Sequence, residues 1–114
     1  MARIIWSERA RNDLRDVVDF ISFDNPVAAQ VLHSKILSGV KRLGDFPHSG
    51  RKVPELREYL PNFREIVVTP CRVIYKVKNE KVYVLRVIRT ERALRLYMLG
   101  SDSGERKKVL HEGR

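Results

Sequence analysis

Residues 63–89, FREIVVTPCRVIYKVKNEKVYVLRVIR, decide the fold. Val, Ile and Tyr dominate three runs there, residues 64–69, 72–77 and 82–89, at the period of two that sends alternate side chains to opposite faces of a strand. The joints between them, Pro70-Cys71 and residues 78–81, are short enough for hairpins. Three sequential strands joined this way form an antiparallel meander, and one of its faces must be covered by helices. Simple alternation groups Arg86 with Val84 and Ile88, and Arg89 with Leu85 and Val87, so the two arginines are expected to point differently.

The cover lies upstream. Residues 3–6 are apolar and isoleucine-rich, which suits a first strand. Ser7 can cap the helix that follows, and Glu8 sits where the helix dipole favours a negative charge. Ala10, Leu14, Val17, Val18 and Ile21 then mark one face of a 3.6-residue repeat, which should end near Phe23. Asn25-Pro26 is the sharpest local signal: asparagine caps well, and proline in the first helical position gives up only an N–H that had no partner. Ala29, Leu32, Ile36, Val40 and Leu43 make a second apolar stripe that ends before Pro47. Two such helices, separated by one or two residues, fold back as a hairpin to bury both stripes.

Downstream of the hairpin, residues 47–61 hold three of the five prolines and read as a long surface connection, a length that is uncommon without a role. Residues 90–99 read as a short helix capped by Thr90 and ended by Gly100, and the remainder as a polar tail. The expected architecture is α+β: a strand, a two-helix hairpin, a three-stranded antiparallel meander and a short C-terminal helix. One domain spans residues 1–99, with the tail at 100–114.

The chain has 114 residues, 43% of them hydrophobic, which is enough for a real core. A net charge of +9 biases the partners towards nucleic acid, acidic proteins or anionic surfaces. The one cysteine, Cys71, excludes an internal disulfide, fits a reducing compartment and reads as a buried, inert thiol in a strand. No stretch approaches the ~18 consecutive apolar residues of a membrane span, and MARIIWSERA turns charged too early for a signal peptide. A cytoplasmic protein is expected, with no cofactor, no metal and no membrane partner.

Four strings carry a resemblance. NPVAAQVLHSKI, FPHSGRKVPEL, FREIVVTPCRVIYKV and VYVLRVIRTERAL occur in the order in which the RelE/ParE toxin superfamily has its second-helix opening, its following loop, its strand pair and its last strand. Over residues 3 to about 96 the chain resembles that superfamily, and its ParE-like branch in the loop and second helix. The resemblance implies the toxin of a type II toxin–antitoxin pair (a plasmid stabilisation system), neutralised by a cognate acidic antitoxin that is partly disordered until it binds a basic groove.

The superfamily contains two mechanisms. RelE-like members cut mRNA in the ribosomal A site; ParE-like members inhibit DNA gyrase. Cutting RNA by 2′-OH attack requires a base, an acid and cations for the phosphorane. Residues 64–95 hold nine basic side chains against three acidic ones, so cations abound. That cluster suits RNA, an acidic antitoxin or gyrase equally. The proton-transfer groups discriminate better. His33 falls in a helix, His48 in the loop and His111 in the tail, and Arg89 stands where the family's last strand often has histidine. Arginine stays protonated and is a poor general acid or base. Cys71 likewise replaces the family's usual tyrosine.

If the chain is enzymatic, the resemblance assigns Lys52, Arg72, Arg92 and Tyr97 to the site. Tyr97 stands one residue closer to Arg92 than the RelE-like pattern has it, and the favoured reading of it is an aromatic that packs the last helix onto the sheet. Without a convincing acid–base pair, gyrase inhibition is the favoured function. Arg64, Arg72, Arg86, Arg89, Arg92 and Arg95 are then the candidates for binding target or antitoxin, on a cationic surface backed by the helical hairpin. Arg72 has a structural alternative, an ion pair with Glu65 on the neighbouring strand. The ribosome with mRNA remains the alternative target, and a non-toxic antitoxin-binding module the third possibility.

Overall fold

A computed structural model describes residues 1–91, 94, 95, 98 and 99. In chain order the elements are β1 (Arg3–Trp6), α1 (Glu8–Asp24), α2 (Pro26–Arg42), β2 (Arg51–Lys52), a 3-10 turn (Pro54–Leu56), β3 (Phe63–Val68), β4 (Cys71–Lys78) and β5 (Lys81–Arg89). The caps fall where the sequence puts them. Ser7 Oγ accepts from Ala10 N at 3.0 Å, and Asn25 Oδ1 accepts from Ala28 N at 3.1 Å. Asn25 therefore ends one helix and starts the next, which sets the tight reversal of the hairpin.

The meander is the centre of a larger sheet. Its five strands run in the order β1-β5-β4-β3-β2, with β1 parallel to β5 and the other pairs antiparallel. Parallel neighbours cannot be joined by a tight turn, and the chain between β1 and β5 runs through the α1–α2 hairpin and then β2, β3 and β4. The β4–β5 turn carries Asn79 and Glu80 at φ 53° and 61°, the left-handed pair that a two-residue hairpin turn requires.

Between β4 and β5 the pairing slips: Ile74 faces Arg86 while Tyr75 faces Val84, which leaves Leu85 as an extra residue. This bulge corrects the grouping expected from simple alternation. Val82, Val84 and Val87 all join the helix-side core, whereas Leu85 and Ile88 both join the other face.

Each face of the sheet has its own core. On one side Ala10 and Leu14 of α1, with Leu32, Ile36 and Val40 of α2 and Leu43 just beyond it, cover Cys71, Val73, Tyr75, Val82, Val84 and Val87. Val17, Val18, Ile21 and the half-buried Trp6 pack against this cluster. On the far side Val53, Leu56 and Phe63 meet Ile74, Leu85 and Ile88, together with Leu94, Met98 and Leu99.

The segment read as a surface connection is thus partly structural. Arg51 and Lys52 add an edge strand to β3, and Val53 and Leu56 bury themselves on the far face. Loop composition hid this because both apolar residues stand between charges and prolines. The helix expected over residues 90–99 falls largely on residues outside those described, as does the tail.

Candidate functional site

Among the described residues, the far face carries a connected set of ion pairs. Arg72 on β4 sits opposite Val67, and Glu65 opposite Ile74, so the two side chains are diagonal neighbours on one face of the β3–β4 pair. Arg72 Nε donates to Glu65 Oε1 at 2.7 Å. Its Nη1 and Nη2 donate to Glu55 Oε2 and Oε1 at 2.9 and 2.7 Å, a forked pair. Arg51 Nε closes the other Glu65 oxygen at 2.6 Å. Pro54 starts the 3-10 turn that aims Glu55 inward, where Oε2 also accepts from Leu94 N at 2.9 Å.

A chain of alternating charge results, Arg51–Glu65–Arg72–Glu55, with Glu65 fully buried and Arg72 only 6% exposed. Charges this deep persist only when paired and hydrogen-bonded. The hydrogen bond from Arg72 holds the Glu55 carboxyl down at about 2, against an ordinary 4.5. Glu55, and then Glu65, keep Arg72 firmly in its protonated form.

A second guanidinium is committed in the same way. Arg86, at the bulge, donates through Nε and Nη2 to Asp13 of α1 at 2.6 and 2.9 Å, and through Nη1 to Met98 O at 2.6 Å. Asp13 Oδ2 also accepts from Val87 N at 2.9 Å, so one carboxylate ties α1 to the irregular part of β5.

The remaining candidates are placed as follows. Lys52 is exposed, with Nζ donating to Pro61 O at 2.6 Å. Arg64 Nη1 donates to Gly50 O at 2.8 Å. Arg89 pairs with Glu91 at 2.8 Å and stacks over the Phe20 ring, 5.2 Å from its centroid. Arg95 is exposed. Arg92 and Tyr97 lie outside the described residues.

The cationic surface expected across three strands is therefore interrupted. Arg72 and Lys76 are buried, and Arg86 is mostly covered; Arg89 and Arg95 are the exposed arginines of the group among the described residues. For Arg72, the expected alternative of an ion pair with Glu65 is the observed one. Sequence reasoning missed Glu55 and Asp13 as partners. Neither has a local signal: they lie 17 and 73 residues from the arginines they bind.

Groups able to move protons are scarce on these strands. Burial pushes the Cys71 thiol up, consistent with an inert side chain. Burial also pushes up the Tyr75 phenol, whose hydroxyl donates to Pro47 O at 2.8 Å and accepts from Gly50 N at 2.9 Å. His33 and His48 are exposed on α2 and in the loop. Among the described residues no group of His, Cys, Asp and Glu could hold a metal ion, and no helix is long and apolar enough to cross a membrane.

Comparison with known proteins adds four findings. The family described as "ParE toxin of type II toxin-antitoxin system, parDE" matches residues 4–94. Toxin RelE2 of Caulobacter vibrioides is 32% identical over 88 residues, covering 76% of this chain and 93% of the relative. Toxin ParE3 of the same bacterium is 33% identical over 89 residues, covering 77% and 86%. In structure, a chain of the chromosomal ParDE TA system from P. aeruginosa superposes with a TM-score of 0.67 at 23% identity, covering 80% of this chain and 98% of that one. That last likeness establishes the shared fold.

Proposed function

The chain belongs to the ParE toxin family of type II toxin–antitoxin systems, and on that premise we propose that it inhibits DNA gyrase by binding it, without cutting RNA, and is held inactive by a cognate acidic antitoxin. One observation carries the choice of mechanism. Arg72, the cation that an RNA-cutting site would need on β4, has its Nε and both Nη atoms bound to Glu65 and Glu55. A guanidinium so committed has little left to offer a phosphorane, and releasing it would leave Glu65 buried with one partner fewer. Lys52 is directed to Pro61 O, and the described strands offer no exposed imidazole, thiol or phenol poised beside these cations.

The antitoxin reading rests on the net charge of +9, on the exposed Arg89 and Arg95 and on the half-buried Arg64. Arg64, Arg89 and Arg95 are the proposed contacts on the sheet side, where an acidic segment would fold onto the protein and order only on contact. In a purified reaction the chain should block gyrase supercoiling and accumulate cleaved DNA complexes, while mRNA on translating ribosomes stays intact. Codon-specific cleavage in the ribosome assay, abolished by Lys52→Ala, would replace this reading with the endoribonuclease one. Normal growth of cells expressing the chain without antitoxin would leave only the binding module.

A further inference from the structure

The outer side of the α1–α2 hairpin is electrically polar along its length. Towards the tip, residues 16–34 hold Asp16, Asp19 and Asp24 and no Lys or Arg. Towards the base, residues 8–15 hold Arg9, Arg11 and Arg15, and residues 35–42 hold Lys35, Lys41 and Arg42. The base has two acidic residues, Glu8 and Asp13, and Arg86 already closes Asp13. The three aspartates and the six cations are all exposed.

The border between the two signs is sharp. Arg15 and Lys35 stand ten residues either side of Asn25, so both lie the same distance, about 15 Å, from the tip. Among the described residues Asp16, Asp19 and Asp24 have no ion-pair partner, and neither do Arg15 and Lys35. Asp24 also sits in the last turn of α1, which has no basic residue, although the helix dipole disfavours a carboxylate there.

The acidic half carries the exposed apolar groups. Phe23, Val27 and Val31 are 92, 71 and 48% exposed, and helical spacing sets them opposite the stripes that cover the sheet. Such side chains need no explanation singly, but a group of them marks an interaction surface.

We infer that this surface pairs with a second copy of the chain, the two hairpins overlapping antiparallel about a two-fold axis. In a two-fold contact the same patch serves both partners, so it must complement itself. An acidic tip beside a cationic base meets that condition. Each copy sets its Asp19 and Asp24 towards the Arg15 and Lys35 of the other, and Phe23, Val27 and Val31 of both copies gather near the axis. The charges of both partners are thus known from one chain, and Asp24 gains from the second copy the cation that its own helix end lacks. Elsewhere two chains of net charge +9 repel each other. The sheet, with Arg64 and Arg95, stays outside the pair, and pairing is independent of the toxin's target.

The test is sedimentation of the purified full chain at rising concentration, with two charge reversals. Asp19→Lys with Asp24→Lys makes the tip cationic, and Arg15→Glu with Lys35→Glu makes the base acidic. Wild type should form a reversible dimer, and each reversal alone should associate about 30-fold more weakly. Mixed in equal amounts the two should restore a dimer containing one of each, because both contacts again join opposite signs. Both variants stay net cationic, two reversals away from +9, so the mixture is not drawn together by overall charge. Wild type that is monomeric at about 300 μM overturns the pairing. So do reversals that dimerise like wild type, or folded reversals whose mixture stays monomeric. Wild type that is monomeric while a reversal impairs gyrase inhibition or antitoxin binding gives the surface to that partner instead. Where a reversal fails to fold, Phe23→Cys decides: near the axis it should form an intermolecular disulfide in a glutathione buffer, with the buried Cys71 out of reach. Val67→Cys, exposed on the far face, should not, and equal cross-linking of the two overturns the pairing. Below the dissociation constant the chain is monomeric, and there substitutions in the hairpin are read for their effect on folding.

Discussion

Glu65 in the middle of β3 and Asp24 at the end of α1 are both carboxylates in a strongly basic chain, yet their circumstances are opposite. Glu65 is fully buried, with Arg51 on one oxygen and Arg72 on the other. Asp24 is exposed beside Phe23, at the helix end where its charge is least welcome. The far face uses its charges to hold itself together, and the hairpin turn leaves its charges open. Charge matters to a partner only where the fold has not already consumed it. For that reason Arg72 and Arg86, conspicuous as cations in the sequence, are poor contact candidates.

The contrast is sharpest in what each region loses on mutation. Glu65→Ala should cost about 3–5 kcal/mol, because it removes one of the two carboxylates that hold the buried Arg72 guanidinium; chemical denaturation measures this directly. A midpoint close to wild type would show that the far-face pairs contribute little and would erase the comparison.

Gly50→Ala comes next. A Cβ there would meet Tyr75 Oη at 2.5 Å and the Glu65 carbonyl oxygen at 2.7 Å, and Tyr75 cannot retreat without losing both of its hydrogen bonds. A loss of about 1–3 kcal/mol is expected, as for overpacking elsewhere.

Acid should act on the far face as well. Glu55 is lowered in the folded state to about 2 from 4.5, so its contribution is complete above the unfolded value and drains away as pH falls from there towards 2. Over that window wild type should lose stability more steeply than Glu55→Gln. Parallel acid-unfolding curves would remove Glu55 from the network.

The hairpin turn should show the reverse. Asp24→Lys should gain about 0.3–1 kcal/mol by complementing the helix end. Phe23→Ser should change stability by no more than about 0.5 kcal/mol, the usual range for an exposed site. A large thermal destabilisation by Phe23→Ser would mean that the ring supports the fold, and the two regions would then be alike.

Much of this architecture was legible before any coordinates. Ser7 and Asn25 act through bonds that span three residues, and the stripes from Ala10 to Ile21 and from Ala29 to Leu43 report burial through local periodicity. The β-meander announced itself through alternation and short joints. Residues 51–56 are not legible in the sequence, because a two-residue edge strand is too short to show a period and because Val53 and Leu56 are buried by contacts made outside the loop. The Leu85 bulge was invisible for a related reason: it is a mismatch between two strands and belongs to neither one alone.

The sequence by itself determined the helices, their hairpin and the three central strands, because caps, periods and turns act across a few neighbouring residues; the kinship with a toxin family rests instead on four strings that resemble it. Only the tertiary structure decided which charges are free. Arg86 and Asp13 meet across 73 residues, and Arg72 and Glu55 across 17, through a fold that brings α1, the loop and the sheet together. Pairing of that kind depends on distances of a few ångströms in space, and distance along the chain carries no record of it.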